Sequence, residues 1–220
     1  MGSYRKALAR ALVYLGERLD DLVVLDADTA RSTGTIAFAD RFRERFFNVG
    51  ISEQDLIGRA AGMAIAGLRP VAVAFASFMM RGWEQIRNTV DRDTLNVKMI
   101  ATHAGLSAHI DGSSHQALED LALMRSLART VVVSPADETA TFEAVVRLVE
   151  GYRGPAYVRL GRDNAPRVYE DSSFRFRLGG LEVLEDGGDG AILACGPMVG
   201  VALEASRILR GRGLRVGVVD

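Results

Sequence analysis

Asn48-Val49-Gly50-Ile51-Ser52-Glu53-Gln54-Asp55 runs directly into a small-residue stretch, Leu56 to Gly67, and this junction decides the fold. One acid, Glu53, stands where a strand hands over to a helix otherwise built from Gly, Ala, Ile and Met. A carboxylate on so apolar an element serves either the helix start or a reaction. The helix-start reading is concrete. Ser52 with Asp55 three residues on is a capping-box pattern, and acids in a first turn suit the positive end of the helix dipole. A distant segment, Asp111-Gly112-Ser113-Ser114-His115-Gln116, tips the balance toward chemistry.

Outward from that junction, strand-like runs alternate with helix-period stretches. The runs are Leu22 to Leu25, Val71 to Phe75, Val97 to Ala101, Thr130 to Val133, Ala156 to Leu160, Ala191 to Cys195 and Leu214 to Val219. Helical patterns cover Tyr4 to Glu17, Ser52 to Gly67, Phe78 to Val90, Ala136 to Leu148 and Met198 to Arg210. Near-continuous apolar strands spaced by helices predict an α/β fold, a mostly parallel sheet with helices on both faces. Ligands of such sheets sit at the carboxyl ends of the strands. Glu53, the 105–116 loop and Arg162 each follow a strand-like run.

Polar turn formers between Gly161 and Gly180 (Arg162 to Pro166, then Glu170-Asp171-Ser172-Ser173) mark a boundary. They divide the chain into a first domain, 1–165, and a linker with an incomplete second α/β domain, 166–220. Two strands and one helix can hardly bury a core of their own. Asp186-Gly187-Gly188-Asp189-Gly190 reads as a tight hairpin-like turn; with no helix after it, it is no phosphate cradle.

Composition excludes several classes. Of 220 residues, 48% are hydrophobic and 25% charged, ordinary for a globular chain. A net charge of −1 argues against nucleic acid or an acidic membrane surface as partner. The single cysteine, Cys195, excludes an internal disulfide framework and reads as a buried strand residue. Met1 to Leu19 carries Glu17 and lacks a signal-peptide core, and no run reaches membrane-spanning length, so a cytoplasmic location is expected. The three histidines, His103, His109 and His115, stand in equal six-residue steps. They match no compact zinc spacing and have no cysteine nearby, so no metal site is expected on this chain.

Taken together, the two segments resemble the transketolase family of thiamine-diphosphate enzymes, in its pyrimidine-binding domain and the beginning of its C-terminal domain. The resemblance covers most of the chain. It implies that Glu53 is the catalytic glutamate, hydrogen-bonded to the aminopyrimidine of thiamine diphosphate, while the carbanion chemistry belongs to the cofactor. Phe75-Ala76-Ser77-Phe78-Met79-Met80-Arg81 resembles the family's aromatic segment, in which Phe75 or Phe78 offers the pyrimidine a stacking face. Arg81 departs from the tyrosine common in transketolases and is closer to deoxyxylulose-phosphate synthases. His103 and His115 pair with two substrate-facing histidines, suited to moving protons near neutral pH, and Asp111 with the aspartate that reads a donor hydroxyl. His109 has no counterpart. Arg162, Ser32 and Arg5 fall at positions that resemble phosphate contacts, and Asp28 at one near the cofactor and subunit interface.

The family's Mg2+ and diphosphate groups sit on a separate N-terminal domain with a Gly-Asp-Gly…Asn pattern. Asp111-Gly112 and Asp189-Gly190 lack that context, and no Walker-type or G-x-G-x-x-G loop replaces it. The chain therefore resembles the C-terminal subunit of a split transketolase. Implied with it are an N-terminal partner subunit that holds Mg2+, an α2β2 assembly and sugar-phosphate substrates. The implied reaction carries a two-carbon ketol unit from a ketose phosphate to an aldose phosphate, as in the pentose phosphate pathway. Two alternatives stay open. One is a deoxyxylulose-phosphate synthase or 2-oxo acid dehydrogenase β-type subunit, the former suggested by Glu53-Gln54 and Arg81. The other is a non-catalytic assembly or regulatory homologue. Asp111 to Gln116 with Leu118-Glu119-Asp120 is closer to transketolase.

Overall fold

Five of the apolar runs, with one further strand, assemble into one six-stranded, all-parallel sheet. The computed structural model describes residues 2–170 and 174–220. Its strands are β1 (Leu22–Asp26), β2 (Phe46–Asn48), β3 (Arg69–Phe75), β4 (Lys98–Thr102), β5 (Val131–Val133) and β6 (Ala156–Arg159). They lie in the order β2-β1-β3-β4-β6-β5, with Val24 opposite Phe46 and Val71, Ala74 opposite Ala101, and Ile100 opposite Val158. β2 is the strand that no apolar run announced. It is three residues long and completes the edge beside β1.

Helices α1 (Tyr4–Gly16) and α4 (Glu138–Gly151) cover one face, and α2 (Glu53–Ile65) with α3 (Asp120–Arg125) the other. Period-2 alternation feeds both layers: Val71 and Val73 pack under α1 and α4, while Ala72 and Ala74 leave room for α2. Leu8, Leu12 and Leu15 give α1 a fully buried stripe at helical spacing, and truncating any one to alanine would cost about 2–5 kcal/mol. Ser3 accepts from the Lys6 amide and Asp137 from the Ala140 amide, capping α1 and α4. Among the described residues no helix is long and apolar enough to cross a membrane.

The helix expected over Phe78 to Val90 is broken instead. A turn of α-helix (Ala76–Met79) passes through a 3-10 turn at Met80–Gly82 and a short turn at Trp83–Gln85 into a π-helix at Ile86–Asp91. Close approach to α2 is the physical reason: a Cβ added at Gly82 would lie 2.9 Å from the Glu53 carbonyl oxygen.

The second unit holds β7 (Val183–Glu185), β8 (Gly190–Leu193), α5 (Met198–Arg210) and β9 (Val216–Val219). β9 lies between β8, which it meets in parallel, and β7, which it meets antiparallel. The 186–190 turn therefore closes no hairpin; its Gly188 and Asp189 amides donate to the Arg215 carbonyl at 3.0 Å instead. Cys195 is exposed, not buried, because β8 ends at Leu193 before reaching it. Leu181, Val183, Leu193 and Met198 are all more than half exposed, so this unit leaves much of its apolar surface uncovered. Asp137 Oδ2 ties the linker down by accepting from the Val168 and Tyr169 amides at 2.7 and 2.8 Å. Of the boundary residues, Asp171, Ser172 and Ser173 lie outside the described residues.

Candidate active site

The residues picked out by sequence gather at the carboxyl ends of β1 to β4 and β6, where a parallel sheet presents its loops. Glu53 opens α2 and is 3% exposed. Its Oε2 has no hydrogen-bond partner among the described residues, although Arg81 Nε stands 3.4 Å away on a side chain that is 69% exposed. A buried carboxylate oxygen left so costs stability unless a donor reaches it. Ser77 Oγ, Trp83 Nε1 and Gln85 Oε1, on the broken segment beside α2, are buried and unpartnered too. The capping box does not form. Ser52 makes no side-chain cap, and Asp55 instead accepts from Arg59 Nε at 2.7 Å, because the chain enters α2 through a turn at Gly50 with φ 73°.

Phe75, Phe78, His103 and His115 form one aromatic cluster. The His103 imidazole lies on the Phe75 ring, centroids 3.6 Å apart and planes at 17°. Phe78 stacks on Phe75 at 5.1 Å and meets the edge of His115, also at 5.1 Å. Phe75 is buried and one of its faces is taken, so Phe78, half-buried, is the more open ring. His103 is 7% exposed and adopts φ 57°, which turns the chain out of β4 and the ring back over the sheet. Burial pushes its pKa from 6.5 down to about 4, aided by the Arg162 and Arg5 cations and by His115, with Asp111 opposing. The imidazole is neutral at physiological pH.

His103 also lines a polar pocket of about 240 Å3 together with Ser3, Arg5, Ser32, Thr102, Gly161, Arg162 and Asn164. Arg5, Ser32 and Arg162, far apart in sequence, thus meet in one cavity. A two-residue antiparallel pairing of Gly2–Ser3 with Asn164–Ala165 brings the start of α1 to the loop after β6. Arg162 Nε stands 3.1 Å from Asp111 Oδ2, joining the donor-reading candidate to the same pocket. Asp26 supports Ser32: burial raises its pKa, and it accepts hydrogen bonds from Thr29, Thr33 and Thr35, which shape the 29–35 turn.

Asp28 adopts φ 63° and is held by Asn48, whose Nδ2 donates to Asp28 Oδ1 at 2.9 Å and whose Oδ1 accepts from the Asp28 and Gly50 amides. His109 lies apart, exposed, with Nδ1 3.7 Å from Asp163 Oδ2. Among the described residues no group of three or more His, Cys, Asp or Glu is placed to hold a metal. Sequence reasoning missed Asn48, Thr102, Ser3 and Asn164 as pocket or positioning residues. Only Thr102, next to a histidine at the end of an apolar strand, carried a local signal.

The parallel sheet thus carries a buried glutamate, stacked aromatics and a cationic pocket at its carboxyl edge. The family model for the transketolase pyrimidine-binding domain matches residues 2–167. A chain of Methanocaldococcus jannaschii, provisionally described as a transketolase C-terminal section, is 44% identical over 98% of this chain and 69% of its own length. A 1-deoxy-D-xylulose-5-phosphate synthase of Pelotomaculum thermopropionicum is 34% identical over 99% of this chain but only 34% of its own length. A solved structure described as a split-gene transketolase, inactive β4 tetramer, superposes with TM-score 0.90 at 46% identity, covering 100% of this chain and 71% of that one. The chain belongs to the transketolase family. The family implies thiamine diphosphate, and the orphaned Oε2 of Glu53 fits it: an acceptor buried at the sheet edge suits a heteroaromatic N–H.

Proposed function

We propose that the chain is the pyrimidine-binding, catalytic subunit of a transketolase that moves a two-carbon ketol unit from a ketose phosphate to an aldose phosphate. The observation that carries the reading is the convergence of Arg5, Ser32, His103 and Arg162 on one polar pocket, next to the ring cluster that His103 shares with Phe75. Two guanidiniums and a hydroxyl suit a terminal phosphate. In this reading Glu53 holds the cofactor's aminopyrimidine and Phe75 and Phe78 form its aromatic wall. Asp28 and Arg81 border it. Thiamine diphosphate, when bound, supplies the carbanion chemistry. Asp111 reads a donor hydroxyl, and His103 and His115 exchange hydrogen bonds and protons with the sugar's oxygens. Mg2+ and the diphosphate fall to an N-terminal partner subunit, in an α2β2 assembly, in the cytoplasm. The split-gene relative whose β4 tetramer is described as inactive supports the need for a partner. Residues 1–165 form the pyrimidine-binding domain, and 166–220 the linker with the start of the family's C-terminal domain.

Arg81 beside Glu53 and the 34% identity to a deoxyxylulose-phosphate synthase favour a second reading, in which pyruvate is the donor. One assay separates them. Ketol transfer from xylulose 5-phosphate to ribose 5-phosphate, with thiamine diphosphate and Mg2+, is measured for the chain alone and mixed with its N-terminal partner. Activity only in the mixture supports the proposal. Turnover of pyruvate but not of xylulose 5-phosphate moves the assignment to the second reading, and a stable complex inactive with both donors leaves the non-catalytic one.

A further inference from the structure

We propose that Thr102 fixes the tautomer of His103, directing its single proton to Nε2 so that the ring faces the polar pocket as a hydrogen-bond donor. Thr102 ends β4, is 3% exposed, and places Oγ1 2.9 Å from His103 Nδ1. Among the described residues the Thr102 hydroxyl has no other hydrogen-bond partner. A buried hydroxyl must spend its proton on an acceptor. The Nδ1 lone pair is the acceptor within reach, which leaves the proton of the neutral ring on Nε2. The other tautomer would leave Nε2 a bare acceptor and take the Nδ1 lone pair away from the threonine proton. Phe75 holds the ring plane, with centroids 3.6 Å apart, and Nδ1 is the nitrogen turned toward Thr102.

The electrostatics agree with the assignment. Arg5 and Arg162 bring two guanidinium donors to the same pocket, and a third donor from His103 completes a set matched to anionic or carbonyl oxygens. Burial and these cations hold the ring neutral, so the tautomer decides what it presents. Thr102 is thus a positioning residue that acts through His103. The tautomer rests on this hydrogen bond alone; its consequence for a phosphorylated donor rests on the transfer reading.

The test separates the two. Ring-nitrogen NMR of the 15N-histidine-labelled full chain at pH 7.5 reads the tautomer directly. With only three histidines, His109→Gln and His115→Gln spectra assign His103. The expected result is an unprotonated Nδ1 and a protonated Nε2 for His103, preserved in Thr102→Ser and lost or averaged in Thr102→Val. A proton on Nδ1 in the wild type, or a Thr102→Val spectrum that keeps the wild-type tautomer, overturns the proposal. Thr102→Ala gives the same comparison if valine prevents folding. In the assembled enzyme Thr102→Val is expected to lower kcat/KM for the phosphorylated donor roughly 2- to 10-fold, the size of one neutral hydrogen bond, and Thr102→Ser to rescue it. An unchanged kcat/KM alongside a switched tautomer would overturn the consequence for the donor and leave the tautomer standing.

Discussion

Replacing Arg159 with methionine removes one partner of a fully buried charge. Asp120, 0% exposed, accepts from Arg159 Nε at 2.8 Å and from the Tyr157 hydroxyl at 2.9 Å on the same oxygen, while its other oxygen has no hydrogen-bond partner among the described residues. The Arg159 side chain is 16% exposed, so water cannot take its place cheaply. Methionine keeps most of the packing volume, and the loss is then mainly electrostatic, about 3–5 kcal/mol for an uncompensated buried carboxylate. With urea m-values of roughly 2–3 kcal/mol/M, the unfolding midpoint should fall by roughly 1–2 M; the Tm should drop by roughly 6–20 °C. The triple variant Arg159→Met, Asp120→Leu and Tyr157→Phe should recover most of that loss, because both charges are gone and no buried hydroxyl is left without its acceptor. A single-variant loss below about 1 kcal/mol, or a triple variant as unstable as the single one, would refute the argument that the ion pair is dry. The guanidinium also lies under the histidine-bearing loop: a Cβ at Gly105 would sit 2.9 Å from Arg159 Nη2. The same variant should therefore loosen the 103–117 segment in hydrogen exchange before global unfolding.

Three further outcomes follow from the site. Glu53→Gln should lower kcat of the assembled enzyme by about 10²- to 10⁴-fold while its circular dichroism and midpoint stay close to wild type; full activity would remove Glu53 from the chemistry. Arg162→Met should raise KM for phosphorylated donors by roughly 10- to 100-fold, the range of a charged hydrogen bond, and leave an unphosphorylated ketose much less affected; equal effects on both would place Arg162 away from the phosphate. For His103 the sign is set by a folded-state pKa of about 4 against 6.5 unfolded. Its stabilisation is fully present above pH 6.5 and is lost as pH falls through 4, by at most about 3 kcal/mol. Urea midpoints of wild type and His103→Gln should therefore converge between pH 6.5 and 4, and parallel curves would contradict the buried, neutral ring.

The parallel sheet was legible because each buried strand wrote its own short apolar run, and the connecting helices wrote a stripe such as Leu8, Leu12 and Leu15. What stayed hidden was whatever depended on a neighbour distant in the chain. Phe46 to Asn48 has no run of its own and is a strand only because Val24 lies opposite. Phe78 to Val90 has a helical pattern, yet Gly82 must pass the Glu53 carbonyl, and the helix breaks there. Asp120 appeared merely as part of a motif, since it opens helix α3 while its partners Arg159 and Tyr157 lie on strand β6. Asn48 stood inside the most informative stretch, but its partner Asp28 is on a different loop. Residues of matched chemical type were readable one by one; the cavity that joins Arg5, Ser32, His103 and Arg162 was not.

Two of the non-glycine residues at positive φ, Asp28 and His103, stand at the ends of β1 and β4, on the rim of the site. Aspartate and histidine tolerate the left-handed region better than most residues, yet each still costs roughly 1–2 kcal/mol. Each is held by a dedicated partner: Asn48 clasps Asp28, and Thr102 with Phe75 fixes His103. Strain that persists against its own cost must be over-determined by its surroundings, and here the holding groups, Asn48, Thr102 and Phe75, all belong to this chain. The alternative, loops that order only on binding, would charge that cost to every substrate encounter. The groups that hold both strained residues thus come from this chain, whereas the buried Oε2 of Glu53 finds no hydrogen-bond donor among the described residues.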